Sequence, residues 1–499
     1  LFTMRRLSFA LVGVFLMHAA ASAATFNVTK TADTNDGVCS VADCSLREAI
    51  QAAQNNVGLD TINVPAGTYN LTLNAPCGGA FGTFALGEGL TINGAGQATT
   101  IIDGLGQDRV FAAFSSGIPY FLTLNDLTVR GGFNDEAVCG SHRGGAFLIE
   151  GGNHLVLNRV TVSDNEVRAR LTTAYGAGVW GSNGATLDCA DCVFTNNRVV
   201  GGTVMAAKAH GGAVALVGAG GTNLVLNRTV VDSNRAIDGT VGIASFGGVY
   251  VNLGTVRIDE STFRDNFNGA AYIHDAYVTE STFTGNEETS DAFAPLFGSL
   301  AFTGENNISN STVSGNGAGI SNFGQTDVMY CTIKDNADGG PRKGIANHNP
   351  FGANTFVTAS VVDEPLGGCS GTITSFGFNL DRTNTCAFAN GGDLINTNPL
   401  LGALANNGGL TLTHLPAAGS PAIDSGPLDG LLNDQRNISR PQDGDGDGNA
   451  RRDRGAVEVQ GPACGLLPVR GPNASAGALA IYALMIGAIV VTVRRRATR

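Results

Sequence analysis

The sequence predicts an all-β chain wound into a right-handed parallel β-helix, with a short N-terminal capping helix and a C-terminal membrane-spanning helix. Three observations carry the solenoid: a repeated phrase that ends in asparagine, stacked columns of like residues around it, and glycine bends ahead of it. The phrase ends at Asn165, Asn197, Asn234, Asn266, Asn286, Asn316 and Asn336, at intervals of 32, 37, 32, 20, 30 and 20 residues, a period that marks solenoids. The third residue before each Asn is Val162, Phe194, Val231, Phe263, Phe283, Val313 or Ile333, and the eighth is Leu157, Cys189, Leu226, Ile258, Val278, Ile308 or Val328. The fifth column is small (Val160, Cys192, Thr229, Ser261, Ser281, Ser311, Cys331) and the fourth is mostly Thr. Such alternation is the strand period, so like residues of successive coils are expected to stack inside the helix. Asn is expected at the coil corner because it tolerates the left-handed conformation and can bond its amide to the next coil as a ladder.

Glycine supplies 70 of 499 residues, about twice the usual share of roughly 7%. With 43% hydrophobic residues the chain is not a disordered glycine-rich one. The bends Gly144-Gly145, Gly176-Ala177-Gly178, Gly211-Gly212, Gly247-Gly248 and Gly317-Ala318-Gly319 recur ahead of the Asn positions, where a strand must leave a tight turn. A net charge of -12 argues against nucleic acid as a partner.

In chain order, Met4-Arg5-Arg6, the apolar run 7–17 and Ala21-Ser22-Ala23 read as a signal peptide over 1–23, so the protein is expected outside the cytoplasm, at the cell surface or extracellular. Residues 24–59 form an N-terminal cap: Ser45 and Glu48 make a capping box, and Leu46, Ala49, Ile50 and Ala53 make one apolar stripe that can cover the open end of the first coil. Coils are expected over 60–397, a C-terminal module over 398–460, and a linker over 461–473. The uncharged run 474–493, followed by Arg494-Arg495-Arg496, makes 474–499 read as a transmembrane anchor, at least a transient one, or a sorting tail with a basic cluster. Of ten cysteines, Cys39 with Cys44 and Cys369 with Cys386 bracket short loops outside the repeat and are the expected disulfides. Cys189 and Cys192 fall on the interior columns, which favours buried thiols over a metal or redox pair.

The string Cys44-Ser45-Leu46-Arg47-Glu48-Ala49-Ile50 resembles the N-terminal domain named after CSLREA, found on exported bacterial proteins. The stretches Asp60 to Tyr69 and Leu90 to Gly96 look like the opening coils of the pectate-lyase-like superfamily. Asn398-Pro399-Leu400-Leu401-Gly402, Ser420-Pro421-Ala422-Ile423-Asp424-Ser425-Gly426 and the segment Asp434 to Glu458 are similar to the choice-of-anchor Q domain. The CSLREA and choice-of-anchor resemblances imply a surface protein and no established enzymatic activity.

Three places hold candidate chemistry. Asp443, Asp445, Asp447 and Asn449 alternate with glycine as calcium loops do, and Asp453 stands one residue short of the usual twelfth ligand, so calcium is the one possible cofactor. Glu260 and Glu280 share the column six residues before Asn, expected on an outer strand face. Stacked, their carboxylates would lie about 5 Å apart, the separation that retaining glycosidases use. Long insertions after Asn165, Asn197 and Asn234 gather Arg168, Arg170, Tyr175, Lys208 and His210 at one edge, a basic and aromatic set suited to an extracellular polysaccharide or cell-surface glycan. The functional expectation is a non-catalytic adhesion or glycan-binding protein. The competing class is a polysaccharide lyase or glycoside hydrolase on the same fold.

Overall fold

The computed structural model describes residues 22–73, 83–114, 117–203, 207–218, 221–237, 246–287, 299–336, 344–348 and 352–461. Each full coil places two short strands end to end, turns, and returns through a third. The first two strand sets merge into a 24-stranded sheet, and the third forms an 11-stranded sheet from Phe84–Leu86 to Cys369–Ser370. Pairing is parallel and in register: Leu157, Cys189, Leu226, Ile258 and Val278 follow one another as partners, as do Val162, Phe194, Val231, Phe263, Phe283, Val313 and Ile333. Both columns are buried in one continuous core. Phe263 and Phe283 stack there at 4.9 Å, and Phe111 and Phe147 at 5.3 Å.

The asparagine ladder runs unbroken through seven coils. Asn165 Nδ2 donates to Asn197 Oδ1 at 2.8 Å, and the same bond joins 197 to 234, 234 to 266, 266 to 286, 286 to 316 and 316 to 336. It ends on a carboxylate, since Asn336 donates to buried Glu364. The left-handed residue, however, is the one before each Asn: Asp164, Asn196, Ser233, Asp265, Gly285, Gly315 and Asp335 all have positive φ. Turning the chain one residue early leaves each Asn amide aligned with the coil axis, where it meets its neighbours.

A second corner separates the two strands of the large sheet. Arg159, Asp191, Arg228, Glu260, Glu280 and Asn310 occupy it, again left-handed, with φ between 43° and 56°. The column expected on an outer strand face is therefore a corner column. Its charges pair across coils, with Arg159 on Asp126 at 2.6 Å and Arg228 on Asp191 at 2.7 Å.

The helix Leu46–Gln54 has the expected capping box: Glu48 N donates to Ser45 Oγ at 3.1 Å and Ser45 N donates to Glu48 Oε2 at 2.7 Å. Its stripe of Leu46, Ala49, Ile50 and Ala53 joins the solenoid core. Arg47 is buried too, bonded to Asp33 at 2.7 and 3.0 Å and lying over Phe84. Burial pushes the Glu48 carboxyl up, but bonds from Ser45 N–H, the Thr34 hydroxyl and Asp36 N–H outweigh it and hold the group at about 2.

The C-terminal segment belongs to the same compact unit as the coils. It runs back along the second strand set, over the Thr column. Thr282 Oγ1 donates to Leu412 O at 2.6 Å, Thr312 Oγ1 to Gln435 Oε1 at 2.7 Å, and Ala456 N donates to Thr332 Oγ1 at 3.0 Å. An Arg440–Glu458 pair at 2.9 Å is fully buried within it.

One part of the expected fold class is corrected. No helix among the described residues is long and apolar enough to cross a membrane. The longer of the two described helices, Leu46–Gln54, has 9 residues and reaches about 14 Å, against a hydrocarbon core of about 30 Å. The spanning helix expected over 474–499 has no counterpart among the described residues and lies outside them, as does most of the expected signal peptide.

Candidate functional site

Loops that leave the Asn corner build a cleft against the outer face of the 11-stranded sheet. In the loops, Ala174–Tyr175 pairs in parallel with Ala209–His210, and bridges extend the pairing from Tyr175 to Arg143 and from His210 to Phe246. On the sheet, Leu148, Trp180, Ala215, Tyr250 and Tyr272 follow one another in register. Of these, Leu148, Trp180 and Ala215, with Tyr250 packed against them, form an apolar cluster separate from the core.

Between the two rows lies a cleft of about 230 Å³ lined by Arg143, Tyr175, Trp180, Ser182, Asn183 and Val217. The Arg143 guanidinium sits 4.9 Å over the Trp180 ring. Tyr175, His210, Tyr250 and Tyr272 continue the aromatic surface along the axis, at successive ring separations of 5.6, 4.1 and 5.2 Å. Trp180 Nε1 and His210 Nδ1 are buried with no hydrogen-bond partner among the described residues, an arrangement native proteins rarely leave unexplained. Burial, helped by Lys208, holds His210 down to about 3, so its ring is neutral at physiological pH and acts by stacking.

Of the residues singled out in the sequence, Tyr175 and His210 meet in this stack, with half-buried Lys208 close to His210. Arg168 and Arg170 do not line the cleft. Arg168 pairs with Glu166 on the small four-stranded sheet and lies 5.3 Å over Phe133, while exposed Arg170 donates its backbone N–H to Glu136 Oε2 at 2.6 Å. Sequence reasoning missed Trp180, Tyr250 and Arg143. A signal was present: Val179-Trp180 and Val249-Tyr250 follow Gly178 and Gly248 directly, so both aromatics fall at the same step after a glycine bend.

Glu260 and Glu280 occupy neighbouring corners, and neither lines the aromatic cleft. Glu260 stands 3.9 Å from Arg228. Glu280 lies half-buried beneath the C-terminal segment, its carbonyl accepting from Thr411 Oγ1 at 2.8 Å. Burial, with Asp259, Glu260 and Asp434 adding repulsion, pushes its carboxyl from 4.5 to about 7. A carboxyl raised on folding stabilises the fold fully below its unfolded value and loses that contribution as pH rises through the folded value. Glu280→Gln is therefore expected to raise the denaturation midpoint at about pH 8 and to change it little at about pH 4. An equal effect at both values would remove the carboxyl from this role.

In the acidic loop the structure gathers Asp424, Asp443 and Asp445, whose oxygens lie within 4.8 Å of one another. Asp453 stands apart, accepting from Asp424 N at 2.7 Å and Val459 N at 2.6 Å, and burial beside Glu458 pushes it up to about 7. Asp447 accepts from Asn449 N at 2.7 Å. Carboxylates of this kind suit a hard cation, but each member of the gathered trio already accepts loop amides. Cys39–Cys44 and Cys369–Cys386 are disulfides, and Cys189, Cys192 and Cys331 are buried free thiols.

No family model matches the chain, and no curated protein matches it. Among solved structures it is similar to the pectate lyase Pel9A, at 15% identity over 88% of this chain and 98% of that one, with a TM-score of 0.39. It is also similar to PfbA, a surface adhesin of Streptococcus pneumoniae, at 10% identity over 67% and 83%, TM-score 0.38. A third is the A-module of the Azotobacter vinelandii mannuronan C-5 epimerase AlgE4, at 18% identity over 70% and 94%, TM-score 0.36. Likeness at this level decides nothing about activity. The parallel β-helix stands on its strand register, whereas the CSLREA and choice-of-anchor resemblances have no matching family model.

Proposed function

We propose that this is an exported, non-catalytic carbohydrate-binding protein that holds an extended glycan along the aromatic cleft. The observation that carries the reading is the ring row of Tyr175, His210, Tyr250 and Tyr272 beside Trp180 and Arg143, on one outer face and continuous along the solenoid axis. Flat rings take the apolar faces of sugars, and a guanidinium beside them takes hydroxyl or carboxylate oxygens. Coils spaced about 4.8 Å apart let one chain of sugars meet several rings in turn. Two disulfides fit an oxidising compartment outside the cytoplasm.

The catalytic alternative draws less support. Glu260 and Glu280 lie away from the cleft, at a corner that the C-terminal segment partly covers. The test is binding of soluble polysaccharides by affinity electrophoresis. Trp180→Ala is expected to weaken retardation about tenfold or more, the loss of one stacked hot spot, and, because Trp180 is buried, to lower the denaturation midpoint as well, so retardation is compared at a temperature where the variant is still folded. Arg168→Ala with Arg170→Ala is expected to leave retardation intact. Loss through the arginines and not through Trp180 would move the site to the small sheet.

A further inference from the structure

A second asparagine ladder runs along the outer face of the large sheet, and it stops abruptly. Asn63, Asn93, Asn125 and Asn158 each donate Nδ2 to the Oδ1 of the Asn one coil earlier, at 2.9, 3.3, 2.8 and 2.9 Å, starting from Asn27. The next partner of Asn158 is Ala190, and the one after that is Asn227. The column is thus Asn for five coils, Ala for one, then Asn again.

At this break lies a cleft of about 270 Å³ lined by Asn158, Asp188, Cys189, Ala190, Val225, Asn227 and Arg228. Its two ends are complementary. Asn158 Oδ1, which a following Asn would have bonded, accepts nothing among the described residues. Asn227 Oδ1 already accepts from the Arg228 guanidinium, which leaves its Nδ2 as the donor facing the gap. Arg228 is itself fixed by two bonds to Asp191, at 2.7 and 2.9 Å. An acceptor on one side and a donor on the other, two coils or roughly 9.5 Å apart, frame the space of one planar carboxamide.

We propose that this gap binds the acetamido group of an N-acetylated sugar, which stands where the missing Asn amide would be. The acetamido N–H donates to Asn158 Oδ1, its carbonyl accepts from Asn227 Nδ2, and its methyl lies toward Ala190 and Val225. Asp188 accepts from a ring hydroxyl. The gap is on a different sheet from the aromatic cleft and does not depend on it.

Isothermal titration of the full chain with the tetramer of N-acetylglucosamine, and with cellotetraose as the hydroxyl counterpart, tests this. The acetylated tetramer is expected to bind about tenfold or more tightly than cellotetraose, because the latter leaves the amide partners unpaired. Ala190→Asn continues the ladder through the gap, so it is expected to abolish this preference while holding or raising the denaturation midpoint. Asn158→Leu keeps the gap but removes the acceptor, and is expected to abolish the preference as well. Trp180→Ala is expected to leave it intact, which separates this site from the aromatic cleft. Equal affinity for the two tetramers, no binding of the acetylated one, or undiminished preference in Ala190→Asn or Asn158→Leu would each overturn the proposal.

Discussion

Phe263→Asp is expected to prevent the chain from folding. Phe263 is fully buried, pairs in register with Val231 and Phe283, and stacks on the Phe283 ring at 4.9 Å. Removing the ring costs about 3–5 kcal/mol, and an unpaired carboxylate in its place costs several more. Together these rival the total stability of a typical domain, about 5–15 kcal/mol. Phe263→Leu, which keeps the apolar volume nearly filled, is expected to fold and to lose about 1–2 kcal/mol. The measurement is circular dichroism with guanidinium denaturation: loss of the β signal in the Asp variant and its retention in the Leu variant. A folded Asp variant would mean that this column is not the core.

Asn266→Leu is expected to have the next largest effect. Asn266 Oδ1 accepts from the backbone and side chain of Asn234, at 3.1 and 3.0 Å, and its Nδ2 donates to Asn286 Oδ1 and to Val231 O, at 2.8 and 2.9 Å. Leucine fills the space but orphans the Asn234 N–H inside the fold, while the Val231 carbonyl loses one of its donors and stays paired within the sheet. A buried orphan costs about 1–3 kcal/mol, so the loss is expected in that range. A loss under about 1 kcal/mol would show that the ladder is ornamental to stability.

The Asn spacing made the solenoid legible, and it did so through columns: Leu157 to Val328 and Val162 to Ile333 are partners in the sheet as the sequence placed them. The corner was displaced by one residue, because tolerance of a left-handed φ and use as a ladder amide are separate jobs. Asp164, Ser233 and Gly285 do the turning and the following Asn does the bonding. Little in the sequence announces that the segment after Thr397 folds back over the Thr column, since Thr282 and Thr312 read equally well as exposed strand residues until Leu412 and Gln435 cover them. The aromatic cleft was half legible. Tyr175 and His210 stood out in basic loops, whereas Trp180 and Tyr250 lay within strands, where an outward aromatic looks the same as a core one. In the acidic loop, Asp424 comes from about twenty residues earlier and so falls outside any local spacing rule, while Asp453 turns inward toward Val459.

The measurement that bears most directly on the account is a paired one: binding and product release on the same polysaccharides, by titration and by reducing-end and unsaturated-product assays across the pH range. The account predicts saturable binding that Trp180→Ala weakens about tenfold or more and no product at any pH. Product that forms steadily and disappears in Glu260→Gln with Glu280→Gln would contradict it, because proton transfer would then run through the corner carboxylates.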